Sequence, residues 1–285
     1  TIYLQTGSVR NTGVEASVGY NHTWHGFTWD SNFTFSWNRN EILELAGDAK
    51  NPITGETLNL PKLDIKGLGK AKYVLKQGGS LGDLYTTSDI MCSDKGYVEV
   101  DENGNIAVAD TGTDIFLGSV FPKYNLAWRN DLSYKGIHLG FLFSGRIGGV
   151  CYSATQANLD LYGVSEASAD ARDAGGVLVN GREWMDAQKW YQAIGSQSGL
   201  PLYYTYSATN FRLQELSIGY TLPRKLFRDK CSLTISAVGH NLWMIYCKAP
   251  FDPEAIASTG NNYQGIDYFM MPSLRSMGFN IKLDF

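Results

Sequence analysis

The stretch that decides the fold is FTWDSNFTFSW, which spans residues 27–37. Its odd positions hold Phe, Trp, Ser, Phe, Phe and Trp, whereas its even positions hold Thr, Asp, Asn, Thr and Ser. Alternation with a period of two is typical of a β-strand whose two faces meet different environments. One face of this strand is therefore aromatic, and the opposite face is polar.

Six further segments alternate in the same way. They are residues 14–20, 124–134, 137–146, 216–220, 233–237 and 277–285. Short links at 22–26, 135–136 and 223–229 join neighbouring strands, whereas long links at 40–122, 151–207 and 243–272 separate the resulting pairs. The sequence therefore predicts seven antiparallel strands, with short turns at one rim and long loops at the other.

Composition narrows the class of protein. Of the 285 residues, 44% are hydrophobic, 13% aromatic and only 18% charged, against about 25% charged in an average soluble domain. Aromatic residues favour strands, which argues against a helical bundle or a disordered chain. The formal net charge of -4 leaves no electrostatic footprint for nucleic acid. The longest apolar run, residues 242–247, is far shorter than the roughly 18 residues of a transmembrane helix.

Two architectures fit alternating strands: a soluble β-sandwich and an outer-membrane β-barrel. Sandwich strands are usually shorter and their apolar face is mostly aliphatic. The apolar faces here carry aromatic residues near strand ends, as the lipid-facing girdles of a barrel do. These lipid-face aromatics are Trp29, Trp37, Trp128, Tyr134 and Tyr220.

The prediction is thus an all-β, antiparallel transmembrane barrel wall with long extracellular loops. Single-chain bacterial barrels have even strand numbers, so seven strands predict one part of a larger barrel. This architecture places the protein in the bacterial outer membrane, in contact with lipid.

Five short motifs occur along the chain in a fixed order. They are NTGVE at 11–15, LSIGYTLP at 216–223, GHNL at 239–242, DPE at 252–254 and PSLRS at 272–276, followed by a terminal Phe. Together they resemble the C-terminal part of the SusC/RagA family of TonB-dependent outer-membrane transporters.

The resemblance implies a fold and a set of partners. Residues 1–285 would form the last seven strands of a 22-stranded barrel, and the plug domain and the TonB box would lie outside this chain. The family imports oligosaccharides or peptides, pairs with a SusD-like surface lipoprotein and draws energy from the TonB complex. The resemblance also gives Phe285 a role as the signal that the barrel-assembly machinery recognises.

Polar strand faces are expected to point into the barrel lumen. Asn38 and Arg146 lie towards the long-loop rim, so they are the candidate substrate-facing residues. The alternative for either residue is a structural contact with a neighbouring strand or with the plug.

No pattern indicates a catalytic, cofactor or metal site, so the protein is not predicted to be an enzyme. The run at 101–105 has the first spacings of a calcium loop but lacks its later Gly and Glu, and Asn103-Gly104 indicates a hairpin turn instead. The four His and four Cys residues lack zinc spacing, and no disulfide can be assigned among the cysteines. Trp184, Ala187, Tyr191 and Ile194 recur at helical spacing, which favours a short helix that packs the loop rather than a binding surface.

Three functions remain in order of preference. The first is active import of oligosaccharides or peptides, between which the loop composition does not distinguish. The second is a passive structural or adhesive outer-membrane barrel, and the third is a soluble β-sandwich binding module.

Overall fold

A computed structural model describes residues 7–181, 183–195, 199–258, 260 and 263–285. In these ranges the strands are β1 (Ser8–Trp24), β2 (Phe27–Glu44), β3 (Lys62–Lys66), β4 (Lys72–Lys76), β5 (Asp83–Ile90), β6 (Val108–Ser119), β7 (Tyr124–Tyr134), β8 (Ile137–Ile147), β9 (Val150–Ser153), β10 (Val177–Val179), β11 (Glu183–Met185), β12 (Thr205–Ser207), β13 (Asn210–Thr221), β14 (Ser232–Cys247), β15 (Ile266–Asp267) and β16 (Ser276–Asp284). The helices are α1 (Ala154–Leu161), α2 (Glu166–Asp173), α3 (Ala187–Gly195) and α4 (Pro201–Tyr204).

All seven predicted strands lie in one sheet, which we term the wall. Its order is β1-β2-β7-β8-β13-β14-β16, and every neighbouring pair is antiparallel. Because each strand pairs with the next one of the set along the chain, the wall is a simple meander. The alternation of short turns and long loops predicted from the sequence is confirmed.

Two of the short links are tight two-residue turns. His25 and Gly26 have φ of 50° and 81°, and Lys135 and Gly136 have φ of 47° and 87°. Positive φ at both central residues is the geometry that matches the twist of a β-hairpin. The predicted link at 22–26 was therefore too long, because β1 continues to Trp24. The third link contains a 3-10 helix at Arg224–Phe227.

The two faces of the wall differ in chemistry across all seven strands. Register pairs such as Phe33 with Trp128 and Ala237 with Phe279 place apolar side chains on a common face. This face is open: Phe279 is 86% exposed and Met277 is 79% exposed. No second sheet covers it in the described part of the chain. An exposed apolar face of this kind differs from the inner face of a β-sandwich, which packs against a second sheet.

The wall has two outer strands, β1 and β16, and it does not close on itself within the described residues. Every residue of β1 is exposed. The total of 22 strands and the separate plug domain accordingly remain predictions. No helix within the described ranges is long and apolar enough to cross a membrane.

The long links contain more regular structure than the one hairpin and the one helix predicted within them. They form what we term the loop domain, which contains the sheet β3-β4-β5-β6, the sheet β12-β9-β15 and helices α1 to α4. Its core is a single cluster of buried side chains. They are Ala71, Tyr73, Leu84, Ile90, Ile106, Val120, Tyr152, Ala154, Ala157, Ile194, Leu200, Tyr204 and Ile266. The hydrophobic core of the molecule therefore lies above one rim of the wall.

Two predictions for the long links, a hairpin and a helix, can be checked against the structure of the loop domain. The hairpin around Asn103-Gly104 is present, since Val100 pairs with Ile106 and the Asp101 carboxylate accepts hydrogen bonds from the backbone of Asn103 and Asn105. The predicted helix corresponds to α3, whose Ala187 and Ile194 are buried, as packing requires. Trp184 was wrongly included in it: this residue lies in β11 and is 60% exposed.

Candidate functional site

The apolar face has the height expected of a membrane band. Phe27 adjoins the short-turn rim and Trp37 lies ten residues further along β2. At roughly 3.3 Å per residue and a tilt of about 45°, this distance corresponds to about 23 Å of height, close to the roughly 25 Å apolar band of outer-membrane barrels.

The five predicted lipid-face aromatics all lie on this face, at different heights. Tyr134 pairs with Phe27 and Ile137, and Ile137 pairs with Tyr220, so both tyrosines lie at the short-turn rim. Trp37 pairs with Tyr124 near the opposite end. Trp29 lies two residues from Phe27, near the short-turn rim, and Trp128 lies near mid-height beside Phe33. Their contact with lipid stays a prediction.

In two of these tryptophans the indole N–H donates a hydrogen bond to a side chain on a neighbouring strand. Trp29 Nε1 donates to Asn130 Oδ1 at 3.0 Å, and Trp128 Nε1 donates to Ser31 Oγ at 3.0 Å. An indole N–H in apolar surroundings needs such an acceptor because leaving it unpaired is unfavourable. Ser31 and Asn130, two polar residues on the apolar face, therefore have a structural role there.

The opposite face carries ion pairs between and along strands. Arg129 lies 2.8 Å from Asp131 and 3.6 Å from Glu215, and His240 Nδ1 lies 3.7 Å from the Glu215 carboxylate. Asn21 donates to Asp30 at 2.9 Å. Polar side chains thus contact one another between β1 and β2 near the short-turn rim, and between β7, β13 and β14 further up the polar face.

The structure brings the two candidate substrate-facing residues into one neighbourhood. Arg146 is the cross-strand partner of Asn125, and Asn125 is the partner of Ser36, which is two residues before Asn38. Asn38, Asn125 and Arg146 therefore lie side by side on β2, β7 and β8, on the polar face at the long-loop rim. We term these three residues the rim patch.

The rim patch is accessible and only partly committed to internal contacts. Asn38 and Asn125 are exposed, and Asn125 Nδ2 makes a long 3.4 Å hydrogen bond to Ser36 Oγ. Arg146 is half-buried, and its Nε is a buried donor without a hydrogen-bond partner among the described residues. Arginine and asparagine side chains together can bind carboxylates, hydroxyls and peptide groups.

Next to the rim patch lies a buried ion-pair cluster, which we term the latch. Arg212 Nη2 lies 3.0 Å from an Asp252 oxygen and 3.4 Å from a Glu254 oxygen, and Arg212 Nε donates to Asn210 Oδ1 at 3.2 Å. The Arg212 side chain is 4% exposed and that of Asp252 is 9% exposed. The latch joins β13 of the wall to the long loop that follows β14.

Burial and hydrogen bonding act in opposite directions on the Asp252 carboxyl. Burial by itself would raise its pKa, but hydrogen bonds from Ser273, Arg212 and the backbone of Glu254 hold the pKa below the ordinary value of 3.8. Asp252 is therefore a carboxylate at neutral pH, and it is matched to the Arg212 guanidinium.

Three motifs quoted for the family resemblance meet at the latch. The DPE motif supplies Asp252 and Glu254, and the PSLRS motif supplies the Ser273 backbone N–H, which donates to Asp252 at 3.4 Å. The GHNL motif forms a β-bulge, in which Asn241 adopts φ of 52° and its Nδ2 donates to Leu274 O at 3.2 Å. The sequence pattern did not reveal Arg212, which pairs with Asp252 and Glu254 of the DPE motif.

A cavity of about 460 Å³ adjoins the latch between the upper part of β14 and the chain that leads into β16. The cavity is lined by side chains that include Trp243, Phe251, Ser273 and Arg275. It lies beside the upper, long-loop end of the wall.

Two further sequence candidates have clear positions. Phe285 follows β16 and is 93% exposed, so its side chain is free to contact lipid or another protein. The four cysteines are free thiols. Burial is the main cause that raises the pKa of the Cys151 thiol to about 12, which leaves it protonated and unreactive.

An uncovered amphipathic sheet of long antiparallel strands, with short turns at one rim and folded loops at the other, is typical of outer-membrane β-barrel proteins. No family model matches the chain. The chain is 27% identical to TonB-dependent receptor P3 of Formosa agariphila over 306 residues, and 25% identical to TonB-dependent receptor P26 of the same organism over 308 residues. These matches cover 97% and 98% of the chain but 29% of each receptor.

Solved structures show the same fold. The RagAB peptide importer in its closed-closed state matches with a TM-score of 0.65 at 18% identity, and in its open-open state with a TM-score of 0.64 at 18% identity. The matches cover 97% and 98% of this chain and 29% of the neighbour chain. The predicted resemblance is thus confirmed: the chain is similar to TonB-dependent receptors over nearly its whole length and shares the fold of the RagAB importer structures.

Proposed function

We propose that this chain forms part of the wall of a TonB-dependent β-barrel that imports oligosaccharides or peptides across the bacterial outer membrane. The observation that carries the proposal is the wall itself: one uncovered apolar face about as tall as a membrane band, opposite one polar face. A closed barrel built from such a wall would expose its apolar face to lipid and its polar face to a lumen.

The chain spans 29% of the length of the relatives that it matches, so the rest of the barrel is proposed by analogy. The wall would be the C-terminal portion of a 22-stranded barrel, with β1 and β16 paired to strands outside this sequence. The open outer strands support this assignment, because an unpaired strand edge readily accepts another strand. Phe285 would then serve as the assembly signal.

The loop domain is the proposed docking platform for a SusD-like lipoprotein. It is folded around its own core, and it presents exposed apolar side chains, among them Tyr162 at 76%, Val164 at 68% and Trp184 at 60% exposed. Exposed apolar side chains on a folded surface favour a protein partner. The TonB complex would act through the part of the protein that is outside this sequence.

Substrate would pass the polar face of the wall, where the rim patch offers exposed and half-buried polar side chains at the long-loop rim. Asn38 and Arg146 are proposed to contact it. The relatives are receptors and importers, so no catalytic step is proposed.

Uptake in living cells tests the function. Cells that produce the protein are given fluorescent oligosaccharide and peptide mixtures, with the TonB complex intact or deleted. Accumulation of one mixture that requires the TonB complex supports the proposal. Equal entry in both strains would instead favour the passive barrel, and no entry of either mixture would overturn the import function.

A further inference from the structure

Three arginines on the polar side of the wall differ in how their charge is balanced. Arg129 has Asp131 and Glu215 within 4.0 Å, and Arg212 has Asp252 and Glu254 within the same limit. Arg146 has no carboxylate within that limit among the described residues. Arg146 is therefore the wall arginine whose guanidinium remains available.

The position of Arg146 makes this lack of a counter-ion significant. The side chain is half-buried and its Nε is both buried and without a hydrogen-bond partner in the described part of the molecule. A buried donor without a partner is destabilising, and more so when the group is charged. Such a group in a native protein therefore needs an explanation, and a bound molecule that accepts its hydrogen bond is one.

Nearby acidic groups are already engaged elsewhere. Asp252 and Asp267 both act electrostatically on Cys151, as Arg146 does, so these residues share one region. However, Asp252 is held by Arg212, and Asp267 accepts a hydrogen bond from Ser153 Oγ at 2.6 Å. A partner for Arg146 is thus expected to come from outside the chain.

The backbone around Arg146 holds this residue at the long-loop rim of the wall. Gly148 and Gly149, which follow it, both have φ of 83°, and they turn the chain from β8 into β9 of the loop domain. The Gly148 backbone N–H donates to Thr209 Oγ1 at 2.9 Å, which ties this turn to the segment before β13. The guanidinium is thus held on a rigid strand directly below the loop domain.

We propose that Arg146 binds a carboxylate group of the imported substrate, with the amides of Asn38 and Asn125 beside it as hydrogen-bonding groups for the same molecule. A guanidinium is suited to this ligand because its planar N–H groups match both oxygens of a carboxylate. This proposal rests on the proposed import function and extends it from oligomers in general to acidic ones. The carboxylate belongs either to an acidic sugar or to a peptide.

Binding to the protein purified from outer membranes in detergent tests the proposal. The probes are trigalacturonate and its fully methyl-esterified form for sugars, and tetraglutamate and tetraglutamine, both with amidated C-termini, for peptides. We expect the acid of one series to bind about ten times more tightly than its neutral counterpart, because a charge-assisted bond is lost in the latter. The series that shows the preference identifies the source of the carboxylate.

Variants then assign the preference to Arg146. Arg146→Gln should abolish the difference between acid and neutral probe by weakening acid binding the more strongly, and Arg146→Lys should retain part of the difference. Arg129→Gln is the matched control, because Arg129 lies on the same face with its charge already paired, and the preference should persist. Retention of native heat-modifiable mobility shows that each variant folds.

Two results would overturn the assignment. Neutral probes that bind as tightly as acids in wild-type protein would remove the carboxylate preference while leaving the import function intact. An acid preference that survives in Arg146→Gln would place carboxylate recognition on another residue. If no probe of either series binds, this inference fails, whereas the proposed import function is judged separately by the TonB-dependent uptake of the mixtures.

Discussion

Replacement of Phe33 by Arg is the sharpest test of which face of the wall meets lipid. Phe33 is six residues from Phe27 at the short-turn rim, which places it about 14 Å above that rim at roughly 3.3 Å per residue and a tilt of about 45°. That height is near the middle of a band of about 25 Å. Its side chain is 42% exposed and pairs with Trp128 and Val18.

An arginine at the middle of the lipid face destabilises a barrel by about 2 to 4 kcal/mol, whereas at the interface the effect is about 0 to 1 kcal/mol. We therefore expect Phe33→Arg to lower the free energy of unfolding by at least about 2 kcal/mol. For Phe27→Arg, the added charge should contribute less than about 1 kcal/mol, and any further loss would come from the missing aromatic contacts. Thr34→Arg, one residue away on the polar face, should have little effect because charge is tolerated in a lumen.

The assay is urea unfolding of the protein reconstituted in lipid vesicles, followed by heat-modifiable mobility on gels. Phe33→Leu is the control for lost aromatic contact without added charge. The face assignment would be refuted if Thr34→Arg were as destabilising as Phe33→Arg, or if Phe33→Arg were no worse than Phe33→Leu.

Three further predictions concern the latch and the packing of the wall. Arg212→Met should destabilise the protein by about 3 to 5 kcal/mol in urea unfolding, because Asp252 is left buried and unpaired. Adding Asp252→Asn to this variant should recover part of the lost stability. The absence of any recovery would contradict the ion-pair account. Because the folded pKa of Asp252 lies below its ordinary 3.8, the stabilisation from this carboxylate is complete at neutral pH and is lost as the pH falls below about 4. Protection of the loop after β14 against hydrogen exchange should therefore fall below that pH in wild-type protein. The Asp252→Asn variant should show no such acid transition. Gly145→Ala should lower stability by about 1 to 3 kcal/mol, because the added Cβ would lie 2.4 Å from Phe211 Cε1, whereas Gly278→Ala, with nothing within 4 Å of its Cβ, should be neutral in the same unfolding assay.

The wall was predictable because its information is local. Alternation at 27–37 fixes which side chains share a face, and Lys135-Gly136 supplies the positive φ that a tight hairpin needs. Neither feature depends on distant contacts, so seven strands and their order could be derived from the chain alone.

The loop domain was not predictable to the same degree. Some of its short strands pair across long separations, as β15 does with β9, and β15 of two residues has no detectable pattern of its own. Trp184 shows the same limit, since helical spacing does not reveal whether a residue lies inside the helix or in the strand before it.

The candidate site divides in the same way. The sequence determined that Asn38 and Arg146 lie on the polar face near the long-loop rim, because strand parity and loop length set both properties. It could not show that Asn125 lies between them, since cross-strand register is a tertiary property.

By itself, then, the sequence determined the two-faced wall, because a period of two separates apolar from polar side chains within each strand. Only the tertiary structure decided that Arg212 is paired with Asp252, forty residues further along the chain, and that Arg146 is left without a carboxylate. The physical reason is that charge balance in a partly buried site depends on distances of about 3 to 4 Å between atoms, which spacing along the chain does not encode.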